Sequence, residues 1–166
     1  EITTRLVGSE MCIRDSKSVH DKNRNSKLLL VGTGNGQSNI REKVDNLGLS
    51  DSVIFLGNRG DVNRILQAMD VFLFPSLYEG LPLSIIEAQA AGLPCIISDS
   101  VPSECRVTDL AESLDLNLPI DEWANVVLEK QSVIRKNTID DIKKSGFDVK
   151  QNVVKLEEFY LNSVEE

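Results

Sequence analysis

A chain of 166 residues, 41% hydrophobic and 27% charged with a formal charge of −8, is long enough for one domain with a proper core. The acidic balance and the scatter of Lys and Arg exclude the clustered basic face of a nucleic-acid binder. No apolar run reaches the roughly 18 residues that a membrane helix needs, and Cys12, Cys95 and Cys105 form no metal-ligand spacing.

The chain opens on EITTRLVGSEMCIRDS, residues 1–16, which carries neither a helical nor a strand period. Met11 to Ser16 is the translation of ATG TGT ATA AGA GAC AG plus one base, which resembles the end of a transposase-type sequencing adapter. Leu6-Val7-Gly8-Ser9-Glu10 matches the adapter bases before it, and Glu1-Ile2 and Arg5 suit its flank. The expectation is that residues 1–16 are adapter translation and that natural sequence begins near Lys17. Residues 17–166 are then one domain, incomplete at its N-terminus.

From Lys27 apolar runs alternate with amphipathic stretches. Lys27 to Val31 reads as a buried strand, ended by Gly32-Thr33-Gly34-Asn35-Gly36. Ile40 to Leu47 reads as a helix, with Ile40, Val44 and Leu47 at i, i+4 and i+7 and Gly48 as its stop. Ser52 to Leu56 is a second strand and Val62 to Met69 a short helix. Val71 to Phe74 is a third strand, Pro82 to Ala91 a helix with proline in its first turn, and Cys95 to Ser98 a fourth strand. Cys95, inside Pro94-Cys95-Ile96-Ile97, is expected to be a small buried hydrophobe. Beyond Ser100 the pattern weakens. Leu118 to Lys130 is expected to be helical, striped by Ile120, Trp123, Val126 and Val127, and Val149 to Val164 a terminal amphipathic helix facing Val153, Leu156, Tyr160 and Val164 one way. Strand and helix in turn predict an α/β fold, a Rossmann-like parallel sheet with helices on both faces.

In such sheets ligands bind beyond the carboxyl ends of the strands. The loop Pro75-Ser76-Leu77-Tyr78-Glu79-Gly80-Leu81-Pro82 lies there and runs into a helix N-terminus, whose free N–H groups and dipole suit a phosphate. Gly80 leaves the backbone open to a ligand. Glu87 sits among Ile85, Ile86, Ala88, Ala90 and Ala91, so it is expected on a buried helix where a carboxylate needs a partner. It lies about 7.5 Å along the axis from Pro82, near the span from a diphosphate to its ribose. A carboxylate can accept from two vicinal hydroxyls at once.

FLFPSLYEGLPLSIIEAQAAGLPCIIS resembles the donor-site motif of the large retaining GT-B glycosyltransferase family, which has two glutamates separated by seven residues, here Glu79 and Glu87. The likeness extends more weakly from Lys27 to about Ser103. It implies that Glu87 holds the ribose hydroxyls of a nucleotide and that Glu79, the catalytic-site candidate, contacts the donor sugar. It places the backbone of Gly80, Leu81 and Pro82 near the sugar and diphosphate, and Gly34 in a glycine-rich turn near the donor. Gly32 is read as a turn glycine, and Phe55 to Arg59 as the segment lining the base, with Arg59 a donor-binding candidate. The run Glu87 to Ser103 looks most like bacterial exopolysaccharide or capsule members.

The resemblance implies transfer from a nucleotide sugar, UDP- or GDP-linked, with retention at the anomeric carbon and with no cofactor or metal. The acceptor, a glycan or lipid-linked sugar, is expected on an N-terminal domain that this chain lacks. The implied place is the cytoplasm, with the full-length protein peripheral at the inner face of a membrane. The chain departs from the family in one respect. The Arg and Lys that hold the leaving diphosphate upstream of the first strand have no counterpart here, since Arg14 belongs to the adapter-like segment. Four rivals are weighed against this reading. A dinucleotide-binding fold needs glycine where Gln37 stands. A metal-dependent GT-A transferase needs an Asp-x-Asp pair, which the chain lacks. A GT-B-fold sugar-nucleotide epimerase shares fold and ligand, and a non-enzymatic doubly wound module would tolerate loss of Glu87. His20, in a polar stretch, is expected to be solvated.

Overall fold

The computed structural model describes residues 9–163. Its strands are all parallel. β1 (Leu28–Val31) pairs with β2 (Val53–Gly57), and β3 (Phe72–Phe74), β4 (Cys95–Ser98) and β5 (Ala111–Leu114) form a second sheet in that order. Between the strands run α2 (Gln37–Asn46), α3 (Val62–Gln67) and α4 (Leu83–Ala90). α5 (Ile120–Lys130), α6 (Ile139–Lys144) and α7 (Val149–Ser163) follow β5. The four expected strands form within one residue of their predicted ends.

Among the described residues no ladder joins β1 to β3, so what reads as one sheet is divided in two. β1 and β3 are each the end strand of their own sheet. β5 is absent from the sequence-based expectation because Ala-Glu-Ser-Leu has no β-branched or aromatic residue to mark a strand. It forms because Cys95 to Ser98 offer it a complete ladder.

Each sheet has its own core. Ile40 and Val44 of α2 pack with Leu49, Val53, Leu28, Leu30 and Phe55. Ile85, Ile86 and Ala88 of α4 pack with Leu66, Leu93, Cys95 and Ile97, and with Phe72 and Phe74 beside them. Side chains alternate along a strand. Ile96 therefore points to the opposite face from Cys95 and Ile97, and it is equally buried, so both faces of β4 are covered. Removing one such side chain from water contributes about 1.5–3 kcal/mol. Burial also pushes the Cys95 thiol up to about 12, as expected of an inert hydrophobe.

Three expectations need correction. Ser9–Lys22 is a helix, α1, despite its lack of an apolar period. It forms because it lies along α5, where Ser18 donates to Asp121 (2.6 Å) and Lys22 to Asn125 (2.8 Å), and because Ile13 fills the α2 core. Residues 1–8 of the adapter-like segment lie outside the described residues. His20 is half-buried rather than solvated, with Nε2 3.4 Å from Ser52 Oγ and Nδ1 buried without a partner. α7 exists, but its predicted face covers nothing among the described residues. Val153, Leu156 and Tyr160 are exposed, and Val164 lies outside the described residues.

Candidate functional site

β1 and β2 are parallel neighbours, so the glycine turn after β1 and the loop after β2 leave their sheet at the same end, and the loop after β3 leaves the carboxyl end of the second sheet. Gly32 adopts φ 123°, a left-handed value that glycine alone takes without strain, and its N–H donates to the Gly57 carbonyl at 2.8 Å. That bond ties the first two loops together and leaves Gly34 and Asn35 exposed beyond it. Gly32 is thus the turn glycine.

The loop after β3 is held from below. Ser98, at the end of β4 and fully buried, donates its hydroxyl to the Ser76 carbonyl. The Ser76 hydroxyl, itself buried, donates to Glu79 Oε1 at 2.8 Å. Glu79 is half-buried, while Leu77, Tyr78 and Leu81 project outward around it. A Cβ built on Gly80 meets nothing within 4 Å. The fold itself imposes no steric need for glycine at Gly80.

Pro82 precedes α4, and no side chain caps the helix. The Ile85 N–H donates to the Pro82 carbonyl at 3.1 Å, and the N–H groups ahead of it have no acceptor one turn back, so the end beside Gly80 is suited to an anion. Glu87, one turn on, differs from expectation. Ile85, Ile86, Ala88 and Gln89 are buried, but Glu87 is exposed, on the side of α4 turned away from the core. The argument from a buried carboxylate in need of a partner fails, because α4 is only eight residues long and buries one side. Its spacing from Glu79 on an open face stands.

Arg59 lies in the exposed loop after β2 with its guanidinium on Asp61, Nε to Oδ1 at 2.8 Å and Nη2 to Oδ2 at 2.7 Å. This fork holds the Asp61 carboxyl below the usual range. Two of the five guanidinium N–H groups are thereby used.

Sequence reasoning missed the residues that hold α4 in place. Gln89 is fully buried and its amide donates to the carbonyls of Ile85 (3.1 Å) and Cys105 (2.7 Å). Its Oε1 accepts from the N–H groups of Val107 (3.1 Å) and Thr108 (3.0 Å) and from Thr108 Oγ1 (3.0 Å). Thr138 Oγ1 donates to the Gln89 carbonyl at 2.7 Å. Arg135 donates to the carbonyls of Ala91 and Leu66, each at 2.9 Å, and of Met69. A polar residue on the apolar side of α4 was the available signal. The Cys105 thiol beside this network is pushed up by burial and by the carboxylates of Glu104 and Glu79. Among the described residues no group of three or more His, Cys, Asp or Glu gathers as a metal site, and no helix is long and apolar enough to cross a membrane.

The sequence model of the family described as glycosyl transferases group 1 matches residues 3–114. The chain is 36% identical over 157 residues to the EpsF protein of Bacillus subtilis (strain 168), covering 89% of this chain and 40% of that protein. It is 34% identical over 146 residues to the UDP-Gal:alpha-D-GlcNAc-diphosphoundecaprenol alpha-1,3-galactosyltransferase of Escherichia coli, covering 84% of this chain and 38% of that enzyme. Among solved structures, the pneumococcal O-GlcNAc transferase GtfA in complex with UDP and GlcNAc superposes with a TM-score of 0.75 at 17% identity, over 95% of this chain and 33% of that one. That likeness is one of fold. The chain spans about 40% of the length of the curated relatives it matches.

Proposed function

The chain belongs to the glycosyl transferases group 1 family, and from that premise we propose that it is the donor-binding half of an enzyme that moves a sugar from a nucleotide sugar to an acceptor, with retention at the anomeric carbon. The observation that carries this reading is the loop after β3. It is pinned to β4 through Ser98 and Ser76, and it presents Glu79 and Gly80 beside the uncapped start of α4.

In this reading Glu87, open on α4, accepts from the ribose hydroxyls, and Glu79 accepts from hydroxyls of the sugar. The backbone of Gly80, Leu81 and Pro82 and the first turn of α4 lie against the diphosphate. Gly34 lets the first loop approach the donor, and Arg59, with its unused N–H groups, borders the base. The bond from the anomeric carbon to the diphosphate oxygen breaks, the bond to the acceptor oxygen forms, and the acceptor hydroxyl passes its proton to the departing diphosphate. Charge gathers on the departing diphosphate. Preorganised N–H donors are worth most there, because they need no reorientation as it develops.

No metal or cofactor has a role in this reading. The donor is UDP- or GDP-linked, and the acceptor is a glycan or lipid-linked sugar bound by a further domain. The work is cytoplasmic, at the inner face of a membrane, in cell-surface polysaccharide synthesis. The test is calorimetric titration of the chain with UDP, GDP and their hexose conjugates, followed by transfer assays. Binding of a nucleotide sugar without turnover is expected, because in this reading the chain supplies one wall of a two-domain cleft. No binding to any conjugate refutes the donor site; turnover by the chain alone refutes the two-domain mechanism, and an epimerised donor points to epimerase chemistry.

A further inference from the structure

We propose that Ser76 is a positioning residue that fixes the carboxylate of Glu79 for the donor sugar, and that Ser98 anchors it from β4; the proposal rests on the donor-site reading above. Glu79 stands on a loop, and a glutamate side chain there is free to exchange rotamers. Here it does not stand alone. Its Oε1 accepts from Ser76 Oγ at 2.8 Å, and the backbone of Ser76 is held at its carbonyl by Ser98 Oγ. Ser98 has no exposed surface and Ser76 has 7%, so water has little access to compete with either hydroxyl. The carboxylate is thus tied to a central strand through one intervening residue.

The single Ser76 proton has a second acceptor, the Tyr78 carbonyl at 3.4 Å. The shorter bond, to a charged oxygen, is much the stronger. It engages one carboxylate oxygen and leaves Oε2, with both its lone pairs, for outside donors. Fixing the acceptor in advance removes the rotamer freedom that a sugar would otherwise have to freeze on binding. A purely structural serine would instead stabilise the loop without changing where Glu79 points.

The test uses the full 166-residue chain. First, Hα–Hβ scalar couplings of Glu79 are measured in a labelled sample without ligand. A single rotamer is expected in the parent chain and in Ser76→Thr, and averaged couplings in Ser76→Ala, with Ser76→Cys as the second variant should alanine prevent folding. Second, UDP, UDP-glucose, UDP-galactose and UDP-N-acetylglucosamine are titrated. Ser76→Ala is expected to lower affinity for the preferred conjugate roughly 10-fold, the scale of one charge-assisted hydrogen bond, and to leave UDP affinity unchanged. Ser98→Ala is expected to act in the same direction, Ser76→Thr to restore binding, and the pair Ser76→Ala with Glu79→Ala to lose no more than Glu79→Ala alone. Unchanged couplings in Ser76→Ala, or losses that multiply in the double variant, overturn the proposal. If the parent chain binds none of the conjugates, the donor reading fails, and the couplings still decide whether Ser76 fixes Glu79.

Discussion

The Oε1 atom of Gln89 accepts the backbone N–H of Thr108 at 3.0 Å, joining α4 to a loop 19 residues further on. The same amide satisfies the Val107 N–H and the Ile85 and Cys105 carbonyls. Gln89→Leu keeps the volume and strands these groups away from water. An unsatisfied buried group costs about 1–3 kcal/mol, with part of that recovered by relaxation. The expected loss is about 3 kcal/mol, seen as a lower urea midpoint with unchanged slope. A loss within ~0.5 kcal/mol would mean that the network is dispensable.

Gly92 and Gly48 both sit at positive φ, 70° and 67°, but in different surroundings. A Cβ on Gly92 would lie 2.6 Å from the Lys136 carbonyl oxygen, whereas one on Gly48 meets nothing within 4 Å. Gly48→Ala therefore carries only the left-handed penalty of about 1–2 kcal/mol. Gly92→Ala adds a backbone clash that must displace the segment after α5, and should cost at least ~2 kcal/mol more. Thermal unfolding of the two variants side by side checks the order.

Glu87 is exposed, so Glu87→Ala should change stability by no more than ~0.5 kcal/mol. In the proposed function it should weaken nucleotide binding by about 1.5–3 kcal/mol, the range for a hydrogen bond to a charged group. Glu79→Ala should spare free nucleotide and weaken the nucleotide sugar. Equal loss of nucleotide in both variants would undo the division of roles.

Asp15, in the segment we propose to be adapter translation, is buried, and its Oδ2 has no partner. Burial pushes its carboxyl from 3.8 up to about 6, against a smaller pull from Arg14. The folded chain therefore holds this proton more tightly than the unfolded one. Stability from this group is full below pH ~4 and declines as pH rises through about 6. Asp15→Asn should raise stability at pH 7 by about 1–3 kcal/mol and leave it unchanged near pH 4. Asp21, Asp61, Asp109 and Asp121, held low by Lys17, Arg59, Lys136 and Ser18, act with the opposite sign on acidification. The difference between the two pH profiles isolates Asp15. A constant offset at all pH values would point to packing instead.

By itself the sequence determined what short-range chemistry dictates. Apolar runs such as Leu28 to Val31 and Cys95 to Ser98 mark strands, the second fully buried and the first half-buried, the period of Ile40, Val44 and Leu47 marks a helix face, and the spacing of Glu79 and Glu87 matches the family motif. Tertiary structure alone decided the rest, because it depends on neighbours distant in the chain. β5 is a strand only because β4 offers it a ladder, and α1 is a helix only because α5 and the α2 core receive it. Glu87 is open and Gln89 closed because one rotation of α4 about its axis chose between them, and that rotation is set by Thr108, Cys105 and Thr138. Polar side chains on a short helix do not announce which of them the core will take; the hydrogen-bond partners that make burial tolerable lie 16 to 49 residues away.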